Sequence, residues 1–166
     1  MDITGTWAGQ YTYGEDYEQL ADTSVRFTLS LQQHGWQRLL GRPRLIGQCR
    51  DNHDDGGQKG LGKIHGRRVG RTLQFLKSMP ESVRSDEWVQ YLRDSFRAEF
   101  GQDLPAELPD HCIAYQGEIS EFGDSLSGSW QILNTIFHTD HGDVRYVNAG
   151  EGTWTARRTS PLTTEL

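Results

Sequence analysis

Cysteine is scarce in this chain of 166 residues, and long apolar runs are missing altogether. The two cysteines, Cys49 and Cys112, are too few for a disulfide scaffold and have no metal-ligand spacing to one another, so both read as free thiols. The absence of any apolar stretch longer than a few residues argues against a membrane-spanning helix. The opening residues Met1-Asp2-Ile3-Thr4 lack the basic and apolar regions of a signal peptide, and the expected location is the cytosol. Positive charge is also in deficit. Lys and Arg number 17 against 23 Asp and Glu, a net charge of −6, which argues against a general nucleic-acid binder because phosphate binding needs a basic surface. Glycine, by contrast, is plentiful at 19 residues, and with 34% hydrophobic residues this favours many short strands and turns over a helical bundle.

Strand periodicity runs through most of the chain. From Gly5 to Tyr13 the odd positions carry large side chains or none (Gly5, Trp7, Gly9, Tyr11, Tyr13), and the even ones are small or polar. Val25, Phe27, Leu29 and Leu31 alternate with Arg26, Thr28, Ser30 and Gln32, the pattern of an antiparallel strand with one wet face. Further strands are expected over residues 44–50, 60–67, 71–78, 111–120, 125–134 and 149–158. The period changes once. Trp88, Val89, Leu92, Phe96 and Phe100 recur at three- and four-residue steps, which predicts an amphipathic helix over 86–100, capped by Ser85 and closed by Gly101. Eight sequential antiparallel strands remove their edges most simply by closing on themselves. The expected fold is therefore all-β: a single domain over residues 1–158, an eight-stranded antiparallel up-and-down barrel with one inserted α-helix between strands five and six (insertion about 80–101). Residues 159–166 read as a flexible tail.

The two ends of the chain carry related phrases, Gly5-Thr6-Trp7 and Gly152-Thr153-Trp154-Thr155-Ala156-Arg157-Arg158. An opening Gly-x-Trp strand and a final strand ending in Arg resemble the pattern with which lipocalins, avidins and related calycin barrels begin and end. The resemblance implies that Trp7 plugs the closed end and that a basic side chain of the last strand packs on the indole. Arg158 is the expected partner, because it shares strand parity with Trp154. The other lipocalin motifs and the ligand-binding residues of avidins have no counterpart here. The likeness therefore bears on fold and not on ligand.

In an up-and-down barrel the connections after odd-numbered strands gather at one end. Here those are the long ones, 14–24, 51–59, 79–110 and 135–147, so that end is the expected mouth, with the helix as its lid. Inward parity places Tyr11, Tyr13, Phe27, Phe75, Lys77, Tyr115 and Trp130 as the ligand-binding residues below it, an apolar wall with a few polar tips. Lys77 follows Leu73 and Phe75 in parity and could meet an anionic group; the plainer alternative is that it bends into water while the rings fill the core. The expected function is a binder of a small, partly apolar ligand, with neither nucleic acid nor membrane as partner. Two alternatives stand beside it: a barrel enzyme (isomerase, cyclase or hydrolase) in which Tyr11, Tyr115 and Lys77 do acid–base work, and a protein-interaction module, such as a homodimer formed through the helix. Asp51, His53, Asp54 and Asp55, like His138, Asp140, His141 and Asp143, contain metal-ligating types without diagnostic spacing, and solvated turns account for them better. The same holds for the basic run Arg67-Arg68-x-x-Arg71. No nucleophile elbow is present, the glycines of 57–62 lead into a strand where a phosphate loop would open a helix, and no cofactor is implied.

Overall fold

The computed structural model describes residues 1–15, 20–35, 42–80, 86–146 and 150–160. The Ser85 cap, the side chain of Trp88 and the tail beyond Ser160 lie outside the described residues. The elements are β1 (Gly5–Tyr13), β2 (Ser24–His34), β3 (Arg44–Asp51), β4 (Gly62–Val69), β5 (Thr72–Met79), α1 (Asp86–Phe100), β6 (His111–Ile119), β7 (Ser125–Ile132), β8 (Thr135–Thr139), β9 (Gly142–Tyr146) and β10 (Glu151–Ser160). Eight of these strands close into an antiparallel barrel in the order β1-β10-β7-β6-β5-β4-β3-β2, with α1 between β5 and β6. No helix among the described residues is long and apolar enough to cross a membrane.

The period-two pattern accounts for the wall. Along β2, for example, Val25, Phe27, Leu29 and Leu31 are buried and Arg26, Thr28 and Gln32 are exposed. Large rings fill the interior because glycines make room for them on neighbouring strands. Trp130 lies in register with Gly152, and Trp154 with Gly128, so the two indoles exchange places across the β7–β10 pair. A methyl on Gly152 would sit 2.7 Å from Trp130 Nε1. The indole N–H groups are satisfied by strand carbonyls: Trp130 donates to Thr12 and Thr153 at 3.3 and 3.2 Å, Trp154 to Gln116 and Ser129 at 3.2 and 3.1 Å. At the end opposite the long connections Trp7 is fully buried, and its Nε1 donates to the Ile3 carbonyl at 3.0 Å. The Arg158 guanidinium stands 4.7 Å from the Trp7 ring centre and donates to the Thr4 and Asp2 carbonyls.

The long segment between β7 and the last strand is not a plain loop. β8 and β9 form a hairpin of their own, turning at Gly142, whose φ of +113° suits a residue without a side chain. The apolar stripe of α1 finds its partner there. Leu92 and Phe96 pack with Phe137 of β8 and with Leu104 and Leu108, which follow the helix, in a second apolar cluster separate from the barrel core. Tyr91, on the other side of the helix, is exposed. The stripe is thus covered by the segment that follows the helix and by the β8–β9 hairpin, two of the long connections at the same end of the barrel.

Candidate functional site

Near the loop-bearing end of the barrel, three strands aim polar groups at one point in an apolar interior. β5 carries Leu73, Phe75 and Lys77 inward in alternation, and β3 does the same with Leu45, Cys49 and Asp51. The chain turns away just after Asp51, and that turn is pinned. Asn52 N donates to the Arg26 carbonyl at 2.7 Å, Asn52 Oδ1 accepts from Asp54 N at 3.1 Å, and Gly57 N donates to the Asn52 carbonyl at 3.0 Å. Gly56 takes the left-handed backbone, φ +83°, that lets the chain reverse.

Lys77 Nζ donates to both carboxylate oxygens of Asp51, each at 2.6 Å, and each side chain is only 1% exposed. Around this pair stand neutral hydrogen-bonding groups. Tyr11 Oη donates to Asp51 Oδ2 at 3.4 Å, Cys49 Sγ lies 3.7 Å from Asp51 Oδ1, and the Tyr11 ring centre is 5.8 Å from the ammonium. Burial pushes the Tyr11 and Tyr115 hydroxyls well above the ordinary phenol range, and the Asp51 charge adds to the effect at both. It also pushes the Cys49 thiol up to about 12, with the Lys77 charge pulling the other way. All three groups are therefore protonated at neutral pH, and Tyr11 and Cys49 turn theirs toward Asp51.

Six of the seven expected residues, Tyr11, Phe27, Phe75, Lys77, Tyr115 and Trp130, are buried and inward; Tyr13 is half-buried. The rings form two groups. Tyr11, Tyr13 and Trp130 meet edge to face at 5.4–5.7 Å, and Phe27 stacks on Tyr11 at 6.3 Å. Phe75 stacks on Tyr115 at 4.9 Å, with the Trp154 indole edge-on to both. Lys77 does not bend into water. It meets an anion supplied by the chain itself. Asp51 and Cys49 are the members not among the residues expected from the sequence: Asp51 opens the acidic stretch 51–55, although its parity with Leu45 and Cys49 marks it as inward.

The acidic and basic clusters disperse. Asp55 leaves Asp51 to accept from Arg26 Nε and Nη2 at 2.7 and 2.8 Å, and this guanidinium holds its carboxyl down at about 2. His138 and Asp143 pair at 2.7 Å on the exposed hairpin. Among the described residues no three His, Cys, Asp or Glu side chains gather as a metal site would require. In the basic run, Arg68 turns inward and is buried, Arg71 Nε donates to the Ile119 carbonyl at 2.8 Å, and Arg67 faces outward.

Arg67 belongs to a groove of about 1400 Å³ on the outer wall, lined from Arg42 and Arg44 at the start of β3 to Glu151 and Thr153 at the start of β10. No family model, curated protein or solved structure matches this chain.

Proposed function

We propose that the protein is a calycin-type binder, working in the cytosol, of a small and partly apolar ligand whose anionic group is met by Lys77 at the loop-bearing end. The observation that supports this reading is the dry Lys77–Asp51 pair set among Tyr11, Tyr13 and Tyr115. A buried ion pair is commonly replaceable by apolar residues of similar volume with stability unchanged or improved. The fold by itself therefore has little need of this one. Asp51 supplies the carboxylate that the ammonium requires. A ligand carboxylate competes for the same N–H donors, and the protonated Tyr11 and Tyr115 hydroxyls can donate to it. The rings of Tyr13 and Trp130, packed edge to face with centres 5.4 Å apart, suit the apolar body as a wall, and Tyr13 is the one expected ligand-binding residue that is partly open to solvent.

The test is native mass spectrometry of protein purified from its own source, joined to a thermal-shift screen of apolar carboxylic acids. The expected result is a retained small molecule, or a melting temperature that climbs with ligand concentration as mass action requires. Both should disappear in the folded double variant Lys77→Met/Asp51→Leu. A barrel with neither retained mass nor shift, or a shift that the double variant keeps, overturns the reading.

A further inference from the structure

The outer wall carries a second candidate site, independent of the interior cluster. Strand pairing lines up outward residues in rows around the barrel, and one row runs Arg44 (β3), Arg67 (β4), Gln74 (β5), Gln116 (β6) and Ser129 (β7), each the register partner of the next. Arg44 and Arg67 thus face one another directly, and like charges in that relation weaken a strand pair. Among the described residues no carboxylate pairs with either guanidinium. Arg67 is laid along the sheet by donating from Nε and Nη2 to Gln74 Oε1 at 3.2 and 3.0 Å. Arg42 adds a third cation at this end of the groove, in a chain whose net charge is −6. An anion seated here would relieve a repulsion that the fold leaves uncompensated.

The groove's shape and lining narrow the class of anion. At about 1400 Å³ it exceeds the usual small-molecule pocket of roughly 300–1000 Å³, so it suits an extended occupant. The Gln74 and Gln116 amides can both donate and accept, which matches a peptide backbone, whereas a nucleic-acid backbone offers the phosphate only acceptors. Single-stranded nucleic acid also wants aromatic platforms, and among the described lining residues Phe75, Tyr115 and Trp130 point into the barrel, which leaves the exposed His65 imidazole as the one ring on the outer face. The adjoining row contributes Ile46 and Leu76, 37% and 39% exposed, as apolar anchors alongside the arginines and the amides, with His65 between them.

We infer that this groove docks an extended acidic peptide segment of a partner protein, with its carboxylates on Arg42, Arg44 and Arg67 and its apolar side chains on Ile46 and Leu76. The probe is a short fluorescein-labelled peptide of alternating glutamate and leucine, read by fluorescence anisotropy against the full chain at low and high salt. Saturable binding is expected, weakened about tenfold or more by Arg44→Glu/Arg67→Glu and by salt, since rim charges act through a screened field. Arg157→Glu, on the outer face of β10 at the closed end, should leave it unchanged. Arg44→Gln/Arg67→Gln removes the charges without adding new ones and should also weaken binding if the Glu variant is poorly folded. Absence of saturable binding overturns the inference, as does an equal loss in Arg157→Glu. So does tighter binding of a thymidine oligonucleotide of equal charge, or a dimer of this chain that dissociates in the Arg44 and Arg67 variants.

Discussion

Replacing Lys77 by methionine keeps an unbranched side chain only one atom shorter and removes the ammonium with its hydrogen bonds to Asp51, which tests what the buried pair does for the fold. At 2.6 Å and an effective dielectric of about 20, the attraction between the two groups is about 6 kcal/mol. Stripping each ion of water costs several kcal/mol, so the two effects nearly cancel and the intact pair contributes little net stability. The single variant loses the attraction and keeps the cost. Asp51 is left with the Tyr11 hydroxyl at 3.4 Å and the Cys49 sulfur at 3.7 Å, in a site where its side chain is 1% exposed. The expected loss is about 3–5 kcal/mol. At about 2–4 °C per kcal/mol for a domain of this size, the melting temperature should fall by about 6–20 °C. Adding Asp51→Leu removes the stranded charge, and stability should return to within about 1 kcal/mol of the starting protein or exceed it. Urea titration followed by tryptophan emission measures this, with an unchanged slope showing that the unfolded states are comparable. If Lys77→Met costs less than about 1 kcal/mol, the pair behaves as a solvated surface bridge. If the double variant is as unstable as the single one, the pair holds the fold together. Either result refutes the reasoning, and the second removes the argument that the pair is kept for a ligand.

Four other outcomes follow from the geometry and the burial. Gly152→Ala drives a methyl into the Thr12 carbonyl and to 2.7 Å from Trp130 Nε1, so it should cost about 1–3 kcal/mol and shift the tryptophan emission, both read in the same urea titration. Arg158→Ala strips the cation from the Trp7 face and should cost about 0.5–2 kcal/mol by differential scanning calorimetry, with Arg158→Lys recovering only part because an ammonium lacks the planar fork that reaches the Thr4 and Asp2 carbonyls. Native protein at pH 8 should let a thiol reagent modify the half-buried Cys112 well before Cys49, whose thiol is pushed up to about 12. The sign of the linked pH effect is set by the same burial. The unfolded chain gives up the Cys49 proton near the ordinary value of 9.0 and the folded chain only near 12, so stability should fall across that window as pH rises, with Tyr11 and Tyr115 adding to the decline above 10.0.

Much of this molecule is legible along the chain. Alternation marks the barrel strands to within about two residues, because a wall with one dry face must repeat at the period of the strand. The same parity sends Lys77 inward, and the three- and four-residue steps from Val89 to Phe100 specify a helix with one apolar stripe. The β8–β9 hairpin was harder to see. Its strands are five residues each, and their apolar positions are interrupted by the polar turn at 140–142, so they resemble any long connection.

What periodicity cannot supply is depth. It says which side of the wall a residue faces, but the stagger of a closed barrel decides which inward residues reach the same layer. Asp51 and Lys77 lie on β3 and β5 with β4 between them, and Tyr11 lies on β1, so no register pair joins the three. They meet only because closure brings the loop-bearing ends of those strands around one volume too dry to leave an ammonium alone. The sequence by itself determined that Lys77 points inward. Only the tertiary structure decided that the anion waiting there is the protein's own carboxylate.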